Sequence, residues 1–314
     1  MIAAEQEGYP IANILNIQII TIAITKYQRL QESNMQITAQ MVSQLREQTG
    51  AGMMECKKAL TEAEGDVDKA RDILRAKGKA GAEKRAGRAA AEGVVAAAST
   101  AKAHVMVELN SETDFVARND AFKNLACELA QLVAETGETD PNALLDHKLP
   151  SGVSARQALE DVLTKLRENI VLRRAVAYPV SQDTVVACYI HTVTNKIGSM
   201  VELKCHPSTP GVAEVAKDIA MHIAASKPEY ARREDVPAEA VEREKEVLAE
   251  LTRNEGKPEA AIPKIVEGRL GKFYERVCLL EQPFVRDPSK KISQLLSESG
   301  ATLERFALFV VGQE

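Results

Sequence analysis

LREQTGAGMMECKKAL, residues 45–60, joins two segments of helical periodicity through a pair of glycines. Glycine adopts the left-handed conformation on which many helices end, so Gly50 and Gly52 predict a corner between two short helices. Met53 and Met54 follow at the start of the second helix. Flexible thioethers suit a partner's surface but more often fill gaps in a core, so the pattern alone favours core packing for both side chains.

Three helices are predicted around this corner. Thr38 can cap the first, and Gly65-Asp66 separates the second from a third. They form a predicted module over residues 35–80, near the lower size limit for independent folding. Residues 69–88 carry eight basic and two acidic side chains, and residues 81–93 are predicted to be a linker. This basic segment could attract phosphates or an acidic partner, although a solvated helix end is the favoured interpretation.

Composition limits the class of protein. The chain has 314 residues, enough for two or three domains, and 45% of them are hydrophobic. A net charge of −5, a pI near 5.7 and only 4% aromatic residues argue against a protein that reads nucleic acid with a broad basic face. The five cysteines are widely spaced and form no Cys-x-x-Cys pair, which is typical of a reducing compartment.

Residues 1–34 differ from the rest of the chain. Residues 11–24 are rich in isoleucine, but polar residues interrupt them, and they are too few to cross a bilayer. No basic residue precedes Lys26, unlike in a secretory signal, so no membrane association is expected. We expect an extension without a stable fold, with translation starting at Met35. The alternative is a strand that docks on a partner.

An internal repeat organises the middle of the chain. Two β-hairpins are predicted, each followed by an apolar-periodic helix and later by one more strand. We therefore predict an α+β fold with two related core subdomains, each an antiparallel sheet covered by helices on one face; the alternative is one larger sheet. The hairpins pair residues 94–96 with 105–109 and 185–187 with 200–203, the helices span 121–135 and 212–226, the later strands span 170–178 and 306–311, and the subdomains comprise residues 94–179 and residues 180–231 with 283–314.

Residues 232–282 predict an inserted antiparallel pair of helices. Two amphipathic stretches flank a corner at Gly256-Lys257-Pro258. Pro263 falls in the first turn of the returning helix, where a missing amide donor does little harm. The narrow apolar stripe and charged flanks indicate a projecting coiled-coil hairpin. Such a hairpin can be a structural arm, or it can serve self-association or partner contact.

The sequence contains no pattern typical of catalysis. It has no glycine-rich loop that ends in Gly-Lys-Ser/Thr, and Gly50-Ala51-Gly52 lacks the third glycine and the preceding strand of a dinucleotide site. The five histidines lack metal-ligand spacing, and no Ser/His/Asp or Cys/His set can be argued from sequence order. We therefore predict no direct nucleotide binding, no metal, no cofactor and no chemical step.

One polar loop is followed by an aromatic residue. Residues 110–113 come after a predicted strand, and Asp114-Phe115-Val116 begin a predicted helix. Phe115 could stand at an exposed tip. The pattern alone favours a capping residue followed by a side chain that turns into its own core.

Six motifs together resemble the bacterial elongation factor Ts family, from Met35 to about Val311. They are LREQTGAGMMECKKAL at 45–60, TDFV at 113–116, NIVLRR at 169–174, IAMHIAASKP at 219–228, VEGR at 266–269 and QPFV at 282–285. The resemblance implies a three-helix UBA-like amino-terminal module, two related core subdomains and an inserted coiled-coil hairpin.

This resemblance implies a cytoplasmic guanine-nucleotide exchange factor of translation elongation. Its partner would be elongation factor Tu, in the GDP-bound and nucleotide-free forms, and it would act by binding. Thr113, Asp114, Phe115 and Val116 match the family motif that enters the partner's G domain and displaces its Mg²⁺. The resemblance therefore favours an exposed Phe115 over a core one.

The matched motifs imply further partner contacts through Met53, Met54, Lys57, Arg85, Ile170, His191 and Val285. Of these, Met54, Ile170 and Val285 would fit a core equally well. His191 precedes Thr192, where the family often has glycine. The chain ends at Glu314, so the contact that some members make through a further carboxy-terminal helix is expected to be absent.

Two other classes of function stay open at this point. An RNA- or ribosome-associated module could use the basic residues 69–88, and its binding would depend steeply on salt. A purely structural protein could self-associate through the helical hairpin. Absence of any heterologous partner would favour that class.

Overall fold

A computed structural model describes residues 37–85, 87–206 and 209–313. The predicted extension over residues 1–34 and the predicted start at Met35 lie outside these residues. The chain divides into two compact units, the first ending at Lys84 and the second beginning at Arg85.

The first unit contains helices α1 (Ala39–Thr49), α2 (Met53–Glu62) and α3 (Val67–Arg85). The side chain of Thr38 caps α1 and accepts a hydrogen bond from the amide of Met41 at 3.2 Å. Gly50 ends α1 with a φ of 67°, a conformation that its lack of a Cβ allows. Small and apolar side chains fill the core between the helices. Those with no exposed surface are Leu45, Cys56, Ala59, Leu60 and Ala70. The three helices of the predicted module are present, while their assignment as UBA-like stays a prediction.

The second unit contains two separate three-stranded antiparallel sheets, with strand orders β1-β2-β3 and β4-β5-β8. Its strands are β1 (Glu92–Ser99), β2 (Ala103–Ser111), β3 (Val171–Pro179), β4 (Thr184–Ile190), β5 (Ile197–Cys205), β6 (Pro283–Phe284), β7 (Asp287–Lys291) and β8 (Ala301–Val310). The short strands β6 and β7 pair with each other. This arrangement agrees with the predicted α+β class and repeat, and it replaces the alternative of one larger sheet.

Helices cover one face of each sheet in the second unit. The α-helices described in this unit are α4 (Asp114–Ala117), α5 (Asp120–Thr136), α6 (Pro141–Asp146), α7 (Ala155–Leu166), α8 (Val212–Ser226), α9 (Ala238–Asn254), α10 (Ile262–Val277) and α11 (Ile292–Glu298), of which α9 and α10 pack on each other. Helix α5 packs on β1 and β2, and α8 packs on β4 and β5. In the second of these layers, Ile219 and Ile223 of α8 meet Val201 and Leu203 of β5, all fully buried. The covering helices therefore follow the predicted repeat.

The uncovered faces of the two sheets pack against each other. Val95 and Met106 from the first sheet meet Met200 and Phe309 from the second in one buried cluster. Gly198 on β5 lies where the second sheet closely approaches the first. A Cβ at this position would stand 2.6 Å from Cγ1 of Val95 and 3.2 Å from Sδ of Met106. Glycine there lets the sheets approach.

An ion pair within the first sheet, with a buried carboxylate, contacts the second sheet through its arginine. Glu108 on β2 is fully buried and lies opposite Arg174 on β3, whose Nε donates to its carboxylate at 2.7 Å. The guanidinium of Arg174 sits over the ring of Phe309 in the second sheet, 4.4 Å from its centroid. The amide of Gly312 also donates to Glu108, at 3.2 Å.

The second sheet repeats this arrangement in the opposite direction. Glu202 on β5 lies opposite Arg305 on β8, with Nε to carboxylate at 2.6 Å. Arg305 sits over the ring of Tyr178 in the first sheet, 4.1 Å from its centroid. The strand register shifts directly after each glutamate. The internal repeat is therefore also a repeat in space.

Helices α9 and α10 form an antiparallel pair. Arg269 donates to the hydroxyl of Thr252 at 3.2 Å, and Arg276 lies 3.9 Å from Glu244, so residue numbers rise on one helix as they fall on the other. Gly256 turns the chain between them with a φ of 75°. Pro263 occupies the first turn of α10, as predicted. The description of the pair as a coiled coil stays a prediction.

We expect Glu108→Ala to lower the free energy of unfolding of the second unit by about 2 kcal/mol, because it removes the acceptor of the charge-assisted bond from Arg174 and of the bond from the Gly312 amide. Urea unfolding followed by circular dichroism measures the change. Asp146→Ala is the control, since it breaks an exposed pair with Arg156 and should cost less than about 1 kcal/mol. Equal losses in the two variants would contradict a stabilising role for the buried pair.

Candidate functional site

Phe115 lies in residues 113–117, a segment that follows the central strand of the first sheet and is called the tip below. The four-residue helix α4 begins there, and the hydroxyl of Thr113 caps it by accepting from the amide of Val116 at 3.4 Å. The helix buries Val116 and Ala117 on its inner side, which leaves Phe115 83% exposed. The core packing that the pattern alone favours for Phe115 is therefore wrong.

Asp114 presents its carboxylate beside this ring. Arg118, one turn later, lies 2.9 Å from it in an ion pair whose side chains are 38% and 79% exposed. Exposed pairs of this kind contribute little to stability, so the carboxylate can exchange partners at low cost.

Glu168 holds the base of the tip. One carboxylate oxygen accepts from the backbone amide of Thr113 at 2.9 Å, and the other accepts from its hydroxyl at 2.6 Å. Glu168 directly follows Arg167, which ends α7 in a left-handed conformation with a φ of 61°. The sequence reasoning missed Glu168, although it directly precedes the matched motif at residues 169–174.

A polar network beneath the tip joins three chain segments. Glu112 pairs with Arg88 at 3.3 Å and accepts from the amide of Asn169 at 2.7 Å. The side chain of Asn169 donates to the carbonyl of Arg88 at 2.8 Å. Asn110, 1% exposed, donates to the carbonyl of Ala90 at 3.2 Å. These contacts fix where the strand ends and the tip begins.

His191 lies in the loop between β4 and β5, in the second half of the repeat. Its side chain is half-buried, and its Nδ1 lies 3.2 Å from the hydroxyl of Thr194. Val193, in the middle of the same loop, is 86% exposed. The loop therefore offers both an imidazole and an apolar side chain to solvent.

The tip and the His191 loop share one end of the second unit. The carbonyl of Asn195 accepts from the amide of Val95 on β1 at 2.7 Å. Lys196 forms an ion pair with Glu92, and Glu92 lies opposite Ser111, where β2 ends and the tip starts. The sheet packing thus brings together two predicted contact regions about 75 residues apart in sequence.

Val285, another predicted contact, is held by a buried histidine. Val285 is 50% exposed, and its amide donates to Nδ1 of the fully buried His222 at 3.2 Å. Because Nδ1 accepts, the proton of the neutral ring is on Nε2, which lies 2.8 Å from Oε1 of Gln282. Burial lowers the pKa of His222 below its ordinary value, against the opposing effect of Gln282. In the sequence, His222 is one of five histidines without metal-ligand spacing and part of the matched motif at 219–228, and neither pattern indicates its bond to Val285.

The remaining predicted contacts lie in different surroundings. In the first unit, Met53 and Met54 are 59% and 66% exposed, so the favoured core packing is wrong, and Lys57 is exposed. In the second unit, Ile170 is only 3% exposed, and its side chain has no surface with which to touch a partner in this conformation. The side chain of Arg85 lies outside the described part of the chain.

The described part of the chain shows little that could support chemistry. Among residues 37–85, 87–206 and 209–313, no group of three or more His, Cys, Asp or Glu side chains could hold a metal ion. All five cysteines are free. Within the same ranges, no helix is long and apolar enough to cross a membrane.

Comparisons with known proteins match this chain to one family. A family model described as Elongation factor TS matches residues 112–313, a range that contains the tip and the His191 loop. A protein of Alkalilimnicola ehrlichii named Elongation factor Ts is 47% identical over 281 residues, which is 89% of this chain and 93% of that protein.

We expect the stability of the second unit to fall as the pH decreases below about 6.5, in part through His222. The folded state disfavours the protonated ring, whereas the unfolded chain binds the proton at its ordinary pKa, so acid favours unfolding. Thermal unfolding of the wild type and of His222→Gln between about pH 8 and pH 5.5 measures this. The wild type should lose more stability than the variant; parallel curves would show that His222 does not contribute.

Proposed function

This chain belongs to the elongation factor Ts family, and from that premise we propose that it is a guanine-nucleotide exchange factor for elongation factor Tu in translation elongation. It binds the GDP-bound partner, promotes release of GDP and leaves a nucleotide-free form to which GTP binds. Such a factor works in the cytoplasm, where elongation takes place. The observation that supports the proposal best is the exposed ring of Phe115 on a braced helix.

The tip acts on the partner's Mg²⁺ and phosphate site. Mg²⁺ requires nearly octahedral oxygen ligands at roughly 2.0 to 2.1 Å, so small displacements of its surroundings weaken nucleotide binding. Phe115 enters an apolar crevice beside that site and moves the elements that position the metal. Asp114 adds a negative charge near the phosphates, while Thr113 and Val116 fix the helix that carries both residues.

Exchange then follows from linked binding equilibria. A factor that binds the empty or distorted partner better than the GDP-bound partner lowers the affinity for GDP, and GDP lowers the affinity for the factor by the same ratio. No bond is made or broken by this chain. The mechanism therefore requires no catalytic group, cofactor or nucleotide site of its own.

Further contacts come from both units. In the first, Met53, Met54 and Lys57 offer an exposed surface of two thioethers and one cation, in keeping with a UBA-like docking module. In the second, His191, at the same end of the unit as Phe115, and the half-exposed Val285 are proposed as further contacts. Arg85 is proposed from the matched motif, whereas the buried Ile170 supports the start of β3 from inside.

The helical pair α9 and α10 is proposed to be a coiled-coil arm. Its core side contains Val266, Leu270 and Val277, whereas Val247 and Leu251 on α9 are 55% and 49% exposed. Self-association through this exposed stripe is the alternative role of the arm. Light scattering on the wild type and on Val247→Ala tests it.

The RNA-associated alternative would use cations of the first unit whose ion pairs are exposed, so a phosphate could replace the carboxylates at low cost. Three cations of the basic segment already pair with neighbouring carboxylates: Lys69 with Asp66, Arg71 with Asp68 and Lys77 with Glu62. RNA binding without the GTPase, falling steeply with salt, would favour this alternative.

We expect Phe115→Ala to slow GDP release about tenfold or more relative to the wild-type factor, because truncating a buried aromatic anchor of an interface commonly costs about 2 kcal/mol or more. Stopped-flow release of a fluorescent GDP analogue from elongation factor Tu measures the rate. Val153→Ala is the control, since it shortens another exposed apolar side chain, and it should behave like the wild type.

Two outcomes would count against this proposal. If the wild-type factor does not accelerate release, exchange is not its function. If Phe115→Ala retains full activity, the ring does not act as the wedge.

A further inference from the structure

We propose that Glu168 is the positioning residue for Phe115, fixing the direction of the tip helix before the partner binds. This inference rests on the exchange function proposed above. It assigns to Glu168 a role in how fast GDP leaves, exerted through Thr113 and not through contact with nucleotide.

The tip helix is too short to fix its own direction. Helix α4 has only four residues, Asp114–Ala117, and a single turn has little stability of its own. Its direction therefore depends on how its first residue is held. Phe115 follows Thr113 by two positions, so a rotation at Thr113 moves the ring directly.

Two hydrogen bonds fix the orientation of Thr113 relative to Glu168. Both oxygens of Glu168 accept hydrogen bonds from this one residue, from the amide at 2.9 Å and from the hydroxyl at 2.6 Å. Hydrogen bonds to a charged acceptor are shorter and stronger than neutral ones. Two bonds from one carboxylate also fix an orientation, whereas a single bond would leave a rotation free.

The backbone on both sides of Glu168 is also held in place. Arg167 before it is in the left-handed conformation that ends α7. Asn169 after it is 5% exposed, and it donates from its amide to Glu112 and from its side chain to the carbonyl of Arg88. The carboxylate is therefore held from both sides.

Glu168 can affect the direction of the tip without affecting the core. Val116 and Ala117 tie α4 to the core, while Phe115 is 83% exposed and contributes little buried surface. Loss of Glu168 removes no core side chain, so the main effect should be a wider range of tip orientations. A group already held in its working direction need not be ordered during the step that releases GDP.

The test combines Glu168→Ala with Phe115→Ala in the stopped-flow assay for GDP release from elongation factor Tu. We expect Glu168→Ala to lower the maximal release rate about tenfold, as a misplaced group can, with little change in the half-saturating concentration. Glu168→Gln keeps one acceptor oxygen and should give an intermediate rate. In the Phe115→Ala background, Glu168→Ala should have no further effect, because there is no ring left to position.

A second measurement on the chain alone keeps the geometry testable. Hydrogen exchange at the Thr113 amide should be faster in Glu168→Ala, with the amides of β2 unchanged. Asp146→Ala serves as the matched control, since it removes a carboxylate from an exposed pair in the same half of the repeat. It should leave both measurements as in the wild type.

Each result decides between distinct conclusions. A wild-type rate for Glu168→Ala, beside an active wild-type factor, overturns the positioning role alone. An equal loss in the presence and absence of Phe115, accompanied by a lower unfolding temperature, shows that Glu168 acts through folding and overturns it as well. A wild-type factor that does not accelerate release overturns the exchange function, and the positioning role with it.

Discussion

Two buried carboxylates on the central strands determine the form of the second unit. Glu108 and Glu202 each pair with an arginine of the neighbouring strand, and that guanidinium covers an aromatic ring of the opposite sheet. A charge removed from water is tolerated only where a partner meets it, so a one-residue slip in either sheet would leave it unpaired. The pairs therefore fix strand register and the packing of the sheets together. The relation between the tip and the His191 loop follows from that packing.

The same arrangement suits the proposed exchange of nucleotide on a partner by binding. Exchange by binding requires a surface whose shape is fixed before contact, since energy spent on ordering it would not be available to distort the partner. In this chain the surface lies where strands end, and each exposed side chain rests on a buried one. Phe115 is next to the buried Val116 and Ala117 on its helix, and the amide of Val285 donates to the buried ring of His222.

The elements that could be predicted from sequence are those determined locally. Helix α8 spans Val212–Ser226, where the apolar period places it, and β3 runs over Val171–Pro179 against a predicted 170–178. The exposure of Phe115 depends on a helix too short to show a period, so only the family motif indicated it. The bond from Thr113 to Glu168 joins residues 55 positions apart, and no local pattern reports such a pairing. Ile170 shows the converse, because membership of a matched motif does not distinguish a contact residue from the core beneath it.

Gly198 sets the gap between the two sheets, and it does so only a few residues after His191, on the strand that leaves the same loop. Any side chain at this position would push against Val95 and Met106 and tilt one sheet away from the other. The span from the His191 loop to the ring of Phe115 would then change, although both would keep their own local structure. The hydrogen of Gly198, where any other residue has a Cβ, thus sets the distance between the two proposed partner contacts.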